Sequence, residues 1–245
     1  MRMSFHRIAY EALEVCNALE MPAVDAAVAA AGLPPGARAL DIGTGNAAVA
    51  IRLAQGFGLQ VTAVEGDPAM AQLAGARILQ AGADVDLRRA RSGEVLPEGP
   101  WDLIVAIGST DAAGTGERTP RGILEGLAGH LAPGGRLLWG DLFWIGEPPA
   151  PLRQMVEATD SYLSHTGWQD AARGAGLEVE RAEVSSDEVW VRYAAAMDGA
   201  VRAWLADHPT APEFDAVQFH ADRVRAMLEF GRPFLGFGLY LLRKP

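Results

Sequence analysis

The chain has 245 residues, 49% of them hydrophobic, with a formal net charge of −10 and an isoelectric point near 5.0. That length suits one large α/β domain or a domain with an elaborated cap, and the acidity argues against nucleic acid as partner, because phosphate-backbone binding needs clustered Lys and Arg. No apolar run approaches the ~20 residues of a membrane span, the N-terminus lacks an apolar signal core, and a single cysteine, Cys16, forbids an intrachain disulfide; a soluble cytoplasmic protein without membrane contact is expected.

Ser4 to Glu20 carries Ile8, Leu13, Val15 and Leu19 among polar residues and reads as a helix, with Cys16 as a buried structural thiol. A second helix, Pro22 to Ala31, begins on a proline, which a first turn tolerates, and stops at Gly32. Ala37 to Ile42 reads as a buried strand, Asp41-Ile42-Gly43-Thr44-Gly45 as a tight turn, and Asn46 to Gln55 as a helix that Asn46 caps. The glycines at 43 and 45 leave no Cβ between this loop and a ligand. The two leading helices are expected to lie against or over the open edge of this glycine-rich cradle. Gln60 to Glu65 is a second strand; Gly66-Asp67-Pro68 then leads into a helix capped by Asp67 and running to Gln80.

Val85 to Arg89 is a third strand, and Trp101 to Ile107 is almost continuously apolar, as in a central parallel strand covered on both faces. Arg118 to Leu131 reads as a helix ending at Pro133-Gly134-Gly135, and Arg136 to Phe143 as a fifth strand. Glu147-Pro148-Pro149-Ala150-Pro151 is a stiff connector, followed by a helix at Gly167 to Gly174 and a strand at Leu177 to Val184. In the helix Asp187 to Ala206, the residues Trp190, Tyr193, Met197, Val201 and Trp204 recur at three- and four-residue steps and are expected to pack on the sheet. Glu213 to Phe230 is a further helix and Phe234 to Leu242 the last strand. The two helices between the last two strands form an insertion that is placed to roof a pocket. The five histidines show no ligand spacing, so no metal site is expected.

Strands alternating with helices imply βαβ units and a parallel sheet, with ligands outside the carboxyl ends of the strands. The acids and turns collect at those ends: Asp41, Glu65, Ser109 to Asp111, and Asp141. Gly43-Thr44-Gly45-Asn46-Ala47-Ala48 satisfies a loose dinucleotide pattern, with Glu65 lying 20 residues beyond Gly45. Glu65 does not discriminate, because paired ribose hydroxyls want a carboxylate in NAD and in S-adenosylmethionine alike. Asp41 does: one residue before the turn, it is expected to point into the crevice, where it would oppose a pyrophosphate and suit an ammonium.

Ala-Leu-Asp-Ile-Gly-Thr-Gly-Asn, residues 39–46, resembles the first motif of class I S-adenosylmethionine-dependent methyltransferases, and Leu131-Ala132-Pro133-Gly134-Gly135-Arg136-Leu137 resembles the turn before their fifth strand. The resemblance covers Leu33 to Trp144 well and the remainder weakly, and is to a bacterial small-molecule branch. It implies a Rossmann-like three-layer α/β sandwich with a seven-stranded, mostly parallel sheet, an antiparallel last strand, and a helical insertion before that strand. It also implies one domain over residues 1–245: N-terminal helices at 1–32, a cofactor-binding core at 33–146, and an insertion at 187–230. The implied cofactor site comprises Asp41, Gly43, Thr44, Gly45, Asn46, Glu65, Gly66, Arg91, Ser92 and Gly108, with Asp41, Gly43 and Gly45 at the methionine end and Glu65 on the ribose. Where the family usually places an acid or polar residue to receive the adenine amino group, this chain has Arg91-Ser92; arginine accepts no hydrogen bond, which leaves Ser92, backbone or packing.

The implied activity is methyl transfer from S-adenosyl-L-methionine to a small-molecule acceptor by in-line displacement, achieved mainly by positioning. Asp111, standing where relatives often carry histidine, is the candidate base or the residue orienting a cationic acceptor; it reads equally as a turn former before Ala112-Ala113-Gly114. Asp141 reads as a strand-end hydrogen-bonding residue before a catalytic one, and Trp144, Tyr10, His165 and Tyr193 are weaker pocket candidates that also read as surface or core. The alternatives are an S-adenosylmethionine-binding regulator without transferase activity, and an NAD(P)-dependent oxidoreductase. The fold and cofactor site do not determine the acceptor.

Overall fold

The computed structural model describes residues 3–109, 112, 119–158 and 161–245. Seven strands form one sheet: β1 (Arg38–Ile42), β2 (Gln60–Val64), β3 (Val85–Arg88), β4 (Trp101–Ile107), β5 (Leu131–Trp144), β6 (Glu178–Val184) and β7 (Leu235–Arg243). Their order is β3-β2-β1-β4-β5-β7-β6; β1 pairs in parallel with both β2 and β4, and β7 runs antiparallel to β5 and β6. The chain builds outward from β1 to β3 and then restarts on the other side of β1 with β4. That reversal opens a crevice between the carboxyl ends of β1 and β4.

Ten α-helices accompany the sheet among the described residues: α1 (Phe5–Glu11), α2 (Met21–Ala31), α3 (Ala48–Phe57), α4 (Pro68–Ala81), α5 (Ser92–Val95), α6 (Pro120–Gly129), α7 (Ala150–Val156), α8 (His165–Gly174), α9 (Asp187–Asp207) and α10 (Phe214–Gly231). Alternate strand residues face opposite sides, and both sides are covered. Leu103 and Val105 of β4 belong to one core with Val24 of α2 and Leu53 of α3, whereas Ile104 and Ala106 belong to another with Leu124 of α6 and Trp168 of α8. Double burial is why β4 tolerates an unbroken apolar sequence.

Several elements differ from the sequence expectation. The first helix ends at Glu11, and residues 12–20 form an irregular strap. Carbonyls at the end of α1 and the start of the strap are taken by distant donors: the Arg77 guanidinium bonds the Glu11 and Leu13 oxygens, and the Asn46 amide reaches the Tyr10, Leu13 and Glu14 oxygens. Strand β5 starts at Leu131, not Arg136, with the Pro133-Gly134-Gly135 turn absorbed as a register shift opposite Trp101 and Leu103. The proline connector after β5 runs directly into α7, with Pro151 in its first turn, where a missing amide hydrogen costs nothing.

The aromatic stripe of α9 does not lie along the sheet. Trp190 alone of its buried members joins the sheet core; Met197 and Val201 pack with Phe5, Ile8 and Ala9 of α1 and with Val217 and Ala221 of α10. At 21 residues, α9 is about 30 Å long, and its second half finds its partners in helices. The Ser185 hydroxyl donates to the Ala18 carbonyl, and Arg192 pairs with Glu20, so the insertion is tied to the strap. No helix among the described residues is long and apolar enough to cross a membrane.

Candidate active site

The loop between β1 and α3 is held against the end of β2. The Thr44 amide donates to the Val64 carbonyl at 3.0 Å, and the Gly45 amide to Glu65 Oε2 at 2.9 Å. The other oxygen of Glu65 accepts from the Asp67 amide at 2.8 Å, so one half-buried carboxylate joins the loops after β1 and β2. Asp67 caps α4 by accepting from the Ala69 and Met70 amides. Ala47 precedes α3 in the left-handed region, with φ 63°. That conformation costs a residue with a Cβ roughly 1–2 kcal/mol, and is retained because the Ala47 amide bonds the Thr44 carbonyl.

A cleft of about 530 Å³ opens in front of this loop, in the size range of small-ligand sites. Of the residues expected to bind cofactor, Gly43, Gly45, Glu65, Gly66, Arg91, Ser92 and Gly108 line it. Apolar surface comes from Ile42, Val64, Met70, Ala90 and Ile107. Asp41, Thr44 and Asn46 do not line it. Asp41 is 4% exposed and lies one layer behind the crevice instead of pointing into it, because its carboxylate accepts a 2.6 Å bond from the Thr44 hydroxyl within the turn. Burial pushes the Asp41 carboxyl up to about 6, with the Thr44 bond opposing and the Glu65 charge adding to the rise. Burial raises Glu65 as well, against the amide bonds it accepts from Asp67 and Gly45. Two carboxylates therefore stand destabilised beside one cleft, which favours a positively charged occupant.

The glycines serve the chain's own strap as much as a ligand. Gly45, with φ 59°, would place a Cβ 3.0 Å from Cys16 Sγ, and at Gly108, with φ 62°, a Cβ would overlap the Asn17 amide. Asn17 in turn donates to the Ile107 carbonyl at 3.1 Å. Asn46 is not the helix cap that the sequence suggests: α3 starts at Ala48 with Ala47 at the cap position and no side-chain cap bond. The Asn46 oxygen instead closes a turn by accepting from the Ala48 amide at 3.0 Å, while its buried nitrogen carries the strap. This second half of the Asn46 side chain is the functional feature that sequence reasoning missed.

A second, aromatic-walled chamber of about 160 Å³ adjoins the cleft, with Tyr10, Asn17, Gly108 and Ser109 common to both. Tyr10 from α1 and Tyr193 from α9 meet there hydroxyl to hydroxyl, and burial pushes the Tyr10 phenol up to about 12. Asp141 lines the chamber. The other sequence candidates are placed elsewhere. Trp144 is core and donates to Glu157, and His165 pairs with the Tyr240 hydroxyl at 3.0 Å outside the chamber lining. Asp111 lies outside the described residues.

Residues 40–137 match the family model described as a methyltransferase domain. The 27-O-demethylrifamycin SV methyltransferase of Amycolatopsis mediterranei is 30% identical over 230 residues, spanning 88% of this chain and 81% of its own. The chain belongs to the class I S-adenosylmethionine-dependent methyltransferases. Two solved structures share the methyltransferase fold over nearly all of both chains at 22% identity. A methyltransferase from Geobacter sulfurreducens in complex with S-adenosyl-L-homocysteine superposes with TM-score 0.84 and 98% coverage of each chain. One from Thiobacillus denitrificans, also in complex with S-adenosyl-L-homocysteine, gives 0.83 with 100% coverage of each.

S-adenosyl-L-methionine is the cofactor of this methyltransferase family, which removes the dinucleotide alternative. The residues present suit it: carboxylates rather than cations behind the glycine loop, a carboxylate at the end of β2, and apolar surface between them. The strap closes one side of this methyltransferase cleft and hangs on Asn46. Asn46→Ala is expected to cost about 2 kcal/mol by removing the one side chain that bonds the Ala48 amide and the Tyr10, Leu13 and Glu14 carbonyls, lowering the melting temperature by roughly 4–8 °C. Amide hydrogen exchange over residues 12–20 should accelerate in parallel; unchanged exchange there would show that Asn46 does not carry the strap.

Proposed function

We propose that the chain transfers a methyl group from S-adenosylmethionine to a small-molecule acceptor. Residues 1–245 act as one methyltransferase domain, in which residues 1–32 and 187–230 roof a cofactor-binding core at 33–146. The carrying observation is electrostatic: Asp41 is buried behind the glycine loop with its carboxyl raised to about 6, and Glu65 stands nearby. A pyrophosphate would worsen that arrangement, and an ammonium and sulfonium relieve it.

In this reading Glu65 takes the ribose hydroxyls with the lone pairs left after the Gly45 and Asp67 amides are bonded. The backbone of Gly43, Gly45 and Gly108 lies along the methionine end, and Asp41 balances the ammonium from behind the loop. Ser92, Ala90 and Met70 receive the adenine, with Arg91 at the exposed rim. When bound, S-adenosylmethionine supplies a methyl group already activated by its sulfonium. The protein's contribution is alignment: Tyr10, Asn17, Gly108 and Ser109 are common to cleft and chamber, so an acceptor in the chamber meets the cofactor across them in a largely water-free space.

The test is incubation with methyl-labelled S-adenosylmethionine and a panel of small molecules, read by mass spectrometry. A methylated product is the expected result. Firm S-adenosylhomocysteine binding with no product across the panel would support the regulatory reading instead.

A further inference from the structure

We infer that His6 positions the nucleoside half of S-adenosylmethionine and that His220 of the insertion holds it there, which couples cofactor binding to the seating of α10. The inference rests on the reading of the cleft as the cofactor site. Among the described residues none of α9 or α10 lines that cleft. His6 and Tyr10 of α1 do; they stand four residues apart, on one face of the helix. Each is backed by a ring of its own kind from the insertion: Tyr10 by Tyr193 of α9, and His6 by His220 of α10. The insertion therefore reaches the cofactor site through α1, and His6 is the link to α10. The charge of Asp67 acts on His6, and the Asp67 amide bonds Glu65, which puts His6 on the ribose side of the cleft.

Four rings fix the geometry. His220 stacks on the buried Phe5 with centroids 4.6 Å apart and planes 9° from parallel, and meets His6 edge-on at 4.9 Å and 81°. His6 also meets Phe5 at 5.5 Å and Tyr10 at 5.3 Å. It nonetheless keeps accessible surface, and as a residue of the cleft wall it turns that surface to the cleft. A neutral imidazole brings one donor and one acceptor, which suits a ribose hydroxyl or the adenine edge. Enclosure by the walls, and next His220, hold the His6 imidazole below its ordinary value, with Asp67 opposing. Burial, and next Arg223, lower His220 in the same direction. The seated pair is thus neutral. Acid charges two rings in contact and turns His6 toward the carboxylates of Asp67 and Glu65, the second of which the ribose needs. The contact is intact above the ordinary 6.5 and opposed as the pH falls below it. On the other packed elements, Tyr193 of α9 stands behind Tyr10, and Arg77 of α4 is committed to the Glu11 and Leu13 carbonyls.

Calorimetry of S-adenosylhomocysteine on the full chain at pH 7.5 tests the positioning. His6→Ala should weaken binding about tenfold. His220→Ala should weaken it about fivefold although His220 does not line the cleft. His220→Phe, which keeps a ring stacked on Phe5, should bring it back to within about twofold of the wild type. A residue that merely fills space between helices would lower melting temperatures without this pattern. Between pH 7.5 and 5.5 the Asp41 carboxyl, at about 6, titrates in every one of these proteins, so the comparison is between them. Over that range His220→Phe should lose about threefold less affinity than the wild type, because one charged ring replaces two. A further reading needs no variant: saturating the wild type with S-adenosylhomocysteine should slow amide exchange across residues 214–231 at least about threefold. Unchanged exchange there, affinity indifferent to both alanine variants, or equal acid losses in the wild type and His220→Phe would overturn the inference. Failure of the wild type to bind S-adenosylhomocysteine at all would instead refute the cofactor reading beneath it.

Discussion

Glu65→Ala is expected to weaken S-adenosylhomocysteine binding by roughly 10²–10³-fold, since hydrogen bonds to a charged group are worth about 1.5–3 kcal/mol each and more than one is lost. The effect has two sources. Glu65 is the proposed ribose ligand, and it already accepts the Gly45 and Asp67 amides, which fix the loops after β1 and β2 relative to each other. Glu65→Gln separates them: a neutral amide keeps one acceptor for the loop amides and loses the charge, so a loss of about tenfold is expected. Calorimetry at pH 7.5, with circular dichroism to confirm the fold, checks both. A loss under about threefold for the alanine variant would remove Glu65 from the site.

Asp41→Asn is expected to move stability and binding in opposite directions. The folded-state carboxyl sits at about 6 against an ordinary 3.8. With the folded value raised, the contribution to stability is full below pH 3.8 and is lost as pH rises through 6. At pH 8 the wild type therefore carries a cost on the order of 3 kcal/mol that the asparagine variant does not have. The difference in unfolding free energy between variant and wild type should shift in the variant's favour by that order from pH 4 to pH 8. Comparing the two across pH cancels any fixed cost of burying the new amide. The same variant should lose S-adenosylhomocysteine affinity at pH 8, because the charge behind the glycine loop is gone. Urea titrations at four or five pH values provide the measurement, and parallel pH curves for the two proteins would show that Asp41 is not held at a raised value.

The strands were legible where local pattern and burial coincide. Trp101 to Ile107 has no polar side chain except Asp102, and a strand covered on both faces needs such a run; β4 spans those residues. The antiparallel last strand was legible only through family resemblance, since Leu235–Arg243 is apolar enough for either direction. What failed was set at long range. Residues 12–20 have helical spacing, yet their neighbouring carbonyls bond Asn46 and Arg77, 32–66 residues away. The spacing singles out Asp41 but not the side of the loop its carboxylate takes, which the Thr44 hydroxyl within the turn decides. Tyr10 and Tyr193 carry no common spacing; they meet only because α1 packs against α9.

The central claim is that the cleft before Gly43 and Gly45 is built for an adenosyl amino acid, with an ammonium and no pyrophosphate. Calorimetric titration of the wild-type protein with S-adenosylhomocysteine, and separately with NADH, tests it most directly. The account predicts saturable one-to-one binding of S-adenosylhomocysteine and no heat from NADH; saturation by NADH with no response to S-adenosylhomocysteine would contradict it.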